Sequence, residues 1–145
     1  MIIIELSTKE KGNLTELQCL TYWYSLGYKV SIPYGENSRY DFILDTGKQL
    51  LRIQVKTSHA IKTNDGFNFA TSSTRINSKG SYRRSYTEDE ADYFATYFNG
   101  KCYFYPVKNC PKKSKTLRFN YPKSGQKTNI SLAEDFEFEK VINSI

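Results

Sequence analysis

The amino-acid sequence predicts an α/β fold, and three observations support this prediction. A helical pattern of apolar residues lies near the start of the chain, strand–turn–strand patterns follow it, and a second helical pattern lies near the end. The chain has 145 residues, which is the size of one domain. Because we find neither an internal repeat nor a linker rich in proline, glycine or serine, we expect residues 1–145 to form a single domain.

The first helix is predicted from about Thr8 to Leu26. Its larger apolar side chains recur at spacings of three and four residues, which place them on one helix face: Leu14, Leu17, Leu20 and Tyr24. The last three of these are expected to form the buried side of the helix, with Glu16 at its edge and able to point toward a cleft. Gly27 stands where a glycine commonly ends a helix.

A β-hairpin is predicted in the middle of the first half of the chain. A short extended piece from Lys29 to Pro33 and a polar loop lead into it. The first strand is expected at Tyr40–Leu44, the turn at Asp45–Lys48 and the return strand at Leu50–Thr57. This hairpin is the most informative part of the sequence.

The return strand places three polar side chains on one face. Its apolar residues alternate with Arg52, Gln54 and Lys56, so these three point to the opposite side. A two-residue loop would pair Asp41 with Arg52, whereas a four-residue loop would pair it with Gln54. Since cross-strand partners share a face, either register puts Asp41 on the same face as Gln54 and Lys56.

The second half of the chain carries weaker patterns. Residues 58–86 are polar and are interpreted as a long surface loop around a strand near Phe67 and Phe69. The spacing of Thr87 and Glu90 is that of a capping box, so a helical turn is expected there. The remaining predicted elements are a hairpin of Tyr93–Phe98 and Cys102–Val107 about Asn99-Gly100, and a strand at Thr116–Asn120.

The final helix is predicted from a second capping box. Ser131 and Glu134 have the required spacing, and the helix is expected to run to about Asn143. Its inward side chains are predicted to be Leu132, Phe136 and Val141.

Composition favours a polyanionic partner and a reducing environment. The formal net charge is +6 and the isoelectric point is about 9.1, although many small proteins share this balance. Cys19, Cys102 and Cys110 are an odd number of cysteines without CxxC spacing, which argues against a disulfide framework and a zinc site. The apolar run at the N-terminus is too short to span a bilayer, so we expect a cytoplasmic protein without membrane contact.

Two basic stretches suit contacts with nucleic acid. In the first, cations and aromatic rings are interleaved, as in surfaces that bind phosphate and stack on bases: Arg75, Lys79, Tyr82, Arg83, Arg84 and Tyr86. The second contains lysine and arginine residues that would contact flanking phosphates: Lys112, Lys113, Lys115, Arg118, Lys123 and Lys127. A solvated loop is the alternative interpretation of the first stretch.

The polar face of the first hairpin offers the groups that phosphodiester hydrolysis requires. A hard cation such as Mg²⁺ stabilises charge on the phosphate and generates hydroxide, and it prefers oxygen ligands. Asp41 would bind the metal together with the Gln54 side chain and the Val55 backbone carbonyl. Lys56 would orient or deprotonate the attacking water, and Glu16 would hold a metal-bound water or a second ion. From spacing alone, a solvated strand face is the alternative.

The order Glu16, Asp41 and then Gln54-Val55-Lys56-Thr57 resembles the motif of the PD-(D/E)XK nuclease superfamily. The chain is most similar to the small group I intron-encoded homing endonucleases, and archaeal Holliday junction resolvases have the same helix–hairpin layout. The resemblance implies a restriction-endonuclease-like core, in which helices flank a mixed central β-sheet. It also implies an endodeoxyribonuclease that uses Mg²⁺ or Mn²⁺ and cuts duplex DNA. Since one active site cuts one strand, a homodimer or homotetramer is expected.

Two residues depart from the superfamily pattern. Tyr40 stands before Asp41 where the motif has proline, and Gln54 stands at the second acidic position. Glutamine supplies a carbonyl oxygen without charge, which increases the importance of Glu16. Glutamine at this position is typical of the intron-encoded branch, whereas the resolvases carry an acid there. A Holliday junction resolvase and a DNA-binding protein with a decayed catalytic site are therefore the alternatives.

Overall fold

The computed structural model describes residues 3–145, and its largest element is a five-stranded sheet. In chain order the helices and strands are α1 (Thr8–Ser25), β1 (Lys29–Ser31), β2 (Phe42–Asp45), β3 (Leu50–Val55), β4 (His59–Ala60), β5 (Gly66–Ala70), β6 (Ser72–Asn77), β7 (Gly80–Ser85), β8 (Tyr93–Phe98), β9 (Lys101–Pro106), β10 (Ser114–Arg118), a 3-10 helix (Ala133–Phe136) and α2 (Phe138–Ser144). The strand order of the large sheet is β1-β2-β3-β8-β9. Because β3 and β8 are parallel and the other pairs are antiparallel, the sheet is mixed. The α/β class and the mixed central sheet are therefore confirmed.

The two faces of the central sheet are covered by different elements. Adjacent residues of β8, Phe94 and Ala95, belong to two separate core clusters, as expected when successive side chains of a strand point to opposite faces. Helices α1 and α2 pack in the cluster of Ala95. The cluster of Phe94 is closed by Phe67 of β5 and Leu117 of β10, which belong to a three-stranded sheet of order β10-β5-β4. The two α-helices thus lie on one face, and the small sheet lies on the other together with the 3-10 helix.

Helix α1 is turned differently about its axis from the prediction. Its buried residues are Thr15, Cys19 and Trp23, whereas Leu17 and Tyr24 are 59% and 73% exposed. The predicted and the observed buried residues both recur at helical spacing. The observed set is the one that faces the core because it contains the large side chain of Trp23. Its ring packs edge-to-face on two phenylalanine rings of the core, and burying such a ring removes roughly 150–250 Å² from water.

Residues 58–86 are not a long surface loop around one strand, and this prediction was wrong. The expected strand near Phe67 is present as β5, but β4 precedes it and a hairpin of β6 and β7 follows it. Within residues 3–145 these two hairpin strands pair with each other in their own two-stranded sheet. Every residue of β7 is exposed, so neither of its faces shows the apolar alternation that identifies a strand in a sequence.

The second predicted hairpin is confirmed as β8 and β9. Asn99 and Gly100 have φ angles of 47° and 81°, which are the positive values that a two-residue turn of this kind requires. The strand predicted at Thr116–Asn120 begins and ends two residues earlier, as β10. The turn expected at Thr87 is present: the N–H groups of Glu90 and Ala91 donate to the Thr87 carbonyl, and the Glu90 carboxylate accepts from the Thr87 N–H at 3.1 Å.

The single C-terminal helix was also a wrong prediction, because the segment consists of a 3-10 helix followed by α2. Glu137, between them, has an extended backbone with ψ of 138° and forms a β-bridge with Tyr103. This bridge takes Glu137 out of a helical conformation and interrupts the helix. The 3-10 helix has no side-chain cap, and Phe138 is the fully buried side chain of α2.

No helix formed by residues 3–145 has the length and apolar character needed to cross a membrane.

Candidate active site

Asp41 is fixed to strand β3 by backbone hydrogen bonds. The register pairs Asp45 with Leu50 and Phe42 with Ile53. The loop between β2 and β3 therefore has four residues, and Asp41 lies opposite Gln54. The Asp41 N–H donates to the Ile53 carbonyl at 2.8 Å. The Asp41 carboxylate accepts a hydrogen bond of 2.8 Å from the Val55 N–H. The side chain therefore has a fixed position immediately before β2.

Glu16 reaches the same place from helix α1. It lies next to buried Thr15, on the side of the helix that faces the sheet, and its carboxyl group is in hydrogen-bonding contact with Asp41. Burial, together with the charge of Asp41, raises the pKa of Glu16 to about 7. Burial also raises the pKa of Asp41, although the Val55 N–H, the Glu16 carboxyl and the charge of Lys56 oppose this. The Glu16 carboxyl group therefore keeps its proton to a higher pH than a free glutamate and can donate it in a hydrogen bond to the Asp41 carboxylate.

Gln54 and the Val55 carbonyl complete a group of oxygen atoms. The Gln54 amide nitrogen donates to the Val55 carbonyl at 3.3 Å, which leaves the Gln54 carbonyl oxygen available. Within residues 3–145 no group of three or more histidine, cysteine, aspartate or glutamate side chains is arranged to hold a metal. The candidate set is thus two carboxyl groups and two neutral oxygens, a composition that suits a hard cation. A cation bound here would replace the proton between the Glu16 and Asp41 carboxyl groups.

Lys56 stands directly after β3, with its side chain close enough to Asp41 for its charge to act on that carboxyl group. Its Nζ donates hydrogen bonds to the Ser72 carbonyl at 3.2 Å and to the Tyr86 hydroxyl at 3.1 Å. Its charge lowers the pKa of Asp41, which requires the two groups to be close. The structure therefore brings together the four residues that the sequence singled out.

Sequence reasoning missed the residues that surround Lys56. Tyr86 was interpreted as a ring for DNA contact, but it is only 8% exposed and packs edge-to-face on Phe94 at 5.4 Å. The Arg39 guanidinium lies 3.8 Å from the centroid of the Tyr86 ring and donates to Glu90 at 3.0 Å. The only sign in the sequence that Tyr86 is buried was its large ring at the end of a polar stretch. These contacts join residues that are far apart in the sequence.

The first predicted basic stretch is divided between the faces of hairpin β6–β7. Arg75 pairs across the hairpin with Tyr82, so the two share a face, and Arg84 shares it as well. All three are exposed, but Arg84 is engaged in an ion pair of 2.9 Å with Glu90. Lys79 is exposed in the turn of the hairpin. The most accessible cations therefore lie toward the turn.

Two lysines of the second stretch, Lys112 and Lys113, lie beside the base of the same hairpin. The Lys112 carbonyl accepts from the Ser85 hydroxyl at 3.2 Å, and the Lys113 carbonyl accepts from the Ser72 hydroxyl at 3.3 Å. Arg83 lies on the other face of the hairpin from Arg84 and donates to Ser72 at 3.2 Å. Lys112 and Lys113 are exposed, so they extend the basic surface away from the hairpin.

The fold and this group of side chains are those expected of a nuclease. A model of the PD-(D/E)XK endonuclease family matches residues 6–139, and the chain belongs to this family. The prediction of an endodeoxyribonuclease is thereby confirmed at the level of enzyme class. No curated protein sequence matches the chain. Among solved structures, the fold is similar to that of the bacterial homing endonuclease I-Ssp6803I, with a TM-score of 0.76 and 20% sequence identity, over 96% of this chain and 95% of that chain.

Proposed function

We propose that the chain is a DNA endonuclease of the homing type, which requires Mg²⁺ or Mn²⁺ and cuts duplex DNA. The observation that carries this proposal is the Glu16–Asp41 carboxyl pair with Lys56 beside it. The family supports endonuclease activity. The similarity of fold to a bacterial homing endonuclease supports the homing type over a junction resolvase.

The metal requirement is supported by the chemistry of the carboxyl pair. Asp41 and Glu16 would hold the cation with the Gln54 carbonyl oxygen and the Val55 carbonyl. The bound cation would stabilise charge on the phosphate oxygens and lower the pKa of a bound water. Lys56 adds a fixed positive charge, which would attract the scissile phosphate and orient the attacking water.

DNA is proposed to run along hairpin β6–β7. Arg75, Lys79 and Tyr82 are exposed near its turn, and Lys112 and Lys113 lie beside its base. Arg83 and Arg84 would add charge on its two faces. A two-stranded β-ribbon fits the major groove of DNA, and cations on it bind phosphates irrespective of sequence. The hairpin starts beside Lys56, which would direct the bound strand toward the carboxyl pair.

A homodimer or homotetramer is proposed as the active form. One active site per chain cuts one strand, so a double-strand break needs two copies. The outer side of α1 supports this, because Leu14, Leu17 and Tyr24 are exposed apolar side chains on one face of the helix. Light scattering of the purified protein measures the assembly, and a monomer at cleavage-competent concentration would contradict the proposal.

The decisive experiment is a cleavage assay with three DNA substrates. Supercoiled plasmid, a linear duplex library of random sequence and a four-way junction are incubated with the full chain in Mg²⁺, in Mn²⁺ and in EDTA. We expect linearised plasmid and selected duplex sites in either metal, and intact DNA in EDTA. Cleavage of the junction in preference to every duplex would establish a resolvase. Tight DNA binding with no cleavage in either metal would establish a decayed site.

A further inference from the structure

Both ends of hairpin β6–β7 contact the side chain of Lys56. Ser72 is the first residue of β6, and its carbonyl accepts a hydrogen bond from Lys56 Nζ at 3.2 Å. Tyr86 follows the last residue of β7, and its hydroxyl accepts a second hydrogen bond at 3.1 Å. A lysine side chain is a flexible four-carbon stem, so contacts of this kind decide where its ammonium group rests.

The ring of Tyr86 is itself held from two sides. Phe94 of β8 contacts it edge-to-face at 5.4 Å, and Arg39 lies at 3.8 Å from its centroid. Arg39 is fixed in turn, because it donates to Glu90 at 3.0 Å and to Ser73 at 2.8 Å. A buried ring with neighbours on two sides keeps its hydroxyl group at one place. The hydroxyl is therefore a pre-formed site for the ammonium group.

We propose that Tyr86 is a positioning residue, whose hydroxyl group holds the Lys56 ammonium group beside Asp41 for DNA cleavage. The proposal rests on the proposed role of Lys56 in the reaction. The contact from Ser72 is made by a backbone oxygen, so the Tyr86 hydroxyl is the contact that a side-chain substitution removes. Because Tyr86 directly follows β7, the proposed DNA-binding hairpin and the position of Lys56 are mechanically connected.

The test compares Tyr86→Phe with Tyr103→Phe. Both substitutions remove one hydroxyl group from a buried ring of the same core cluster, and Tyr103 lies on β9 with 4% exposure. For Tyr86→Phe we expect kcat to fall about tenfold, because misplacement of a reacting group by a fraction of an ångström has effects of this order. KM, DNA affinity in Ca²⁺ and the thermal midpoint should stay close to native values. Tyr103→Phe should cleave at the native rate.

A double-mutant cycle with Lys56→Ala separates positioning from other effects. In the Lys56→Ala background, Tyr86→Phe should change the residual rate less than twofold, because the group that it positions is gone. An equal loss in both backgrounds would mean that Tyr86 acts independently of Lys56. A native rate for Tyr86→Phe, or a parallel loss of thermal midpoint, would also overturn the proposal.

The same series distinguishes failure of this inference from failure of the proposed function. If the native chain cleaves DNA while Tyr86→Phe cleaves equally well, the nuclease stands and the positioning role falls. If the native chain cleaves no substrate in Mg²⁺ or Mn²⁺, the proposed function falls and the positioning role falls with it.

Discussion

The carboxyl pair and the basic hairpin are built in opposite ways, although they meet at Lys56. Asp41 is held by backbone groups of β3, and Glu16 projects from a helix whose inner side is packed against the core. Hairpin β6–β7 is exposed over nearly its whole length and is attached through polar contacts at its base. A group that must meet a scissile phosphate needs a fixed place, whereas a surface that follows DNA benefits from compliance.

This difference predicts a separation of chemistry from binding. Substitutions in the carboxyl pair should change the cleavage rate with little loss of DNA affinity. Substitutions on the hairpin should change DNA affinity with little loss of the maximal rate. Tyr86 is the exception, because it directly follows β7 in the sequence but its hydroxyl group contacts Lys56.

The largest expected effect is the loss of cleavage in Asp41→Asn. The substitution removes the charge of Asp41, which is the best anchored of the proposed oxygen ligands, while keeping its size. We expect plasmid cleavage in Mg²⁺ to fall by at least about 100-fold, and DNA affinity without metal to stay the same or rise slightly as a negative charge is lost. Asp45→Asn, at the other end of β2 from Asp41 and in contact with the turn at Gly47, is the matched control and should cleave normally. Comparable losses in both variants would refute the assignment.

The next effect is on DNA affinity, in the double substitution Arg75→Ala and Lys79→Ala. Removing two phosphate contacts should lower DNA affinity about tenfold near physiological salt and reduce the slope of log affinity against log salt by about 2. The cleavage rate at saturating DNA should be unchanged. Lys48→Ala, in the exposed β2–β3 loop, is the control. If the slope of log affinity against log salt were unchanged in the double variant, DNA would not contact Arg75 and Lys79.

The comparison of the carboxyl pair with hairpin β6–β7 also explains which parts of the molecule were predictable from the sequence. Hairpin β2–β3 was predicted because apolar alternation and a turn signal agree there. The length of its loop could not be predicted. The two-residue and four-residue loops put the same side chains on the same face, so the apolar pattern does not distinguish them. The orientation of α1 was missed because Leu17 and Trp23 lie on two stripes of equal helical spacing, and only the space in the core selects between them.

The hairpin β6–β7 and the surroundings of Lys56 had no comparable signal. Polar side chains on both faces of a hairpin leave no periodicity to detect. Tyr86 is 30 residues from Lys56 in the sequence, and Arg39 is 51 residues from Glu90, so their contacts exist only after the chain has folded. The motif located the charged groups, but it contained no information about the groups that hold them.

The smallest expected effect concerns pH and arises in the carboxyl pair, where burial and the charge of Asp41 raise the pKa of Glu16. Glu16 titrates at about 7 in the folded chain against a usual value of 4.5, so the folded state retains its proton over that interval. Stability from this group is complete below pH 4.5 and is lost as pH rises through about 7. The metal-free chain should therefore melt at a lower temperature at pH 8 than at pH 5.5.

Three further measurements test the origin of this trend. Glu16→Gln should melt with a weaker dependence on pH in this interval, since the titrating group is absent. Added Mg²⁺ should stabilise the native chain more at pH 8 than at pH 5.5, because the cation no longer competes with the proton of Glu16. The double hairpin variant should follow the native pH trend, since it keeps the carboxyl pair. An identical trend in Glu16→Gln would locate the titration outside the carboxyl pair.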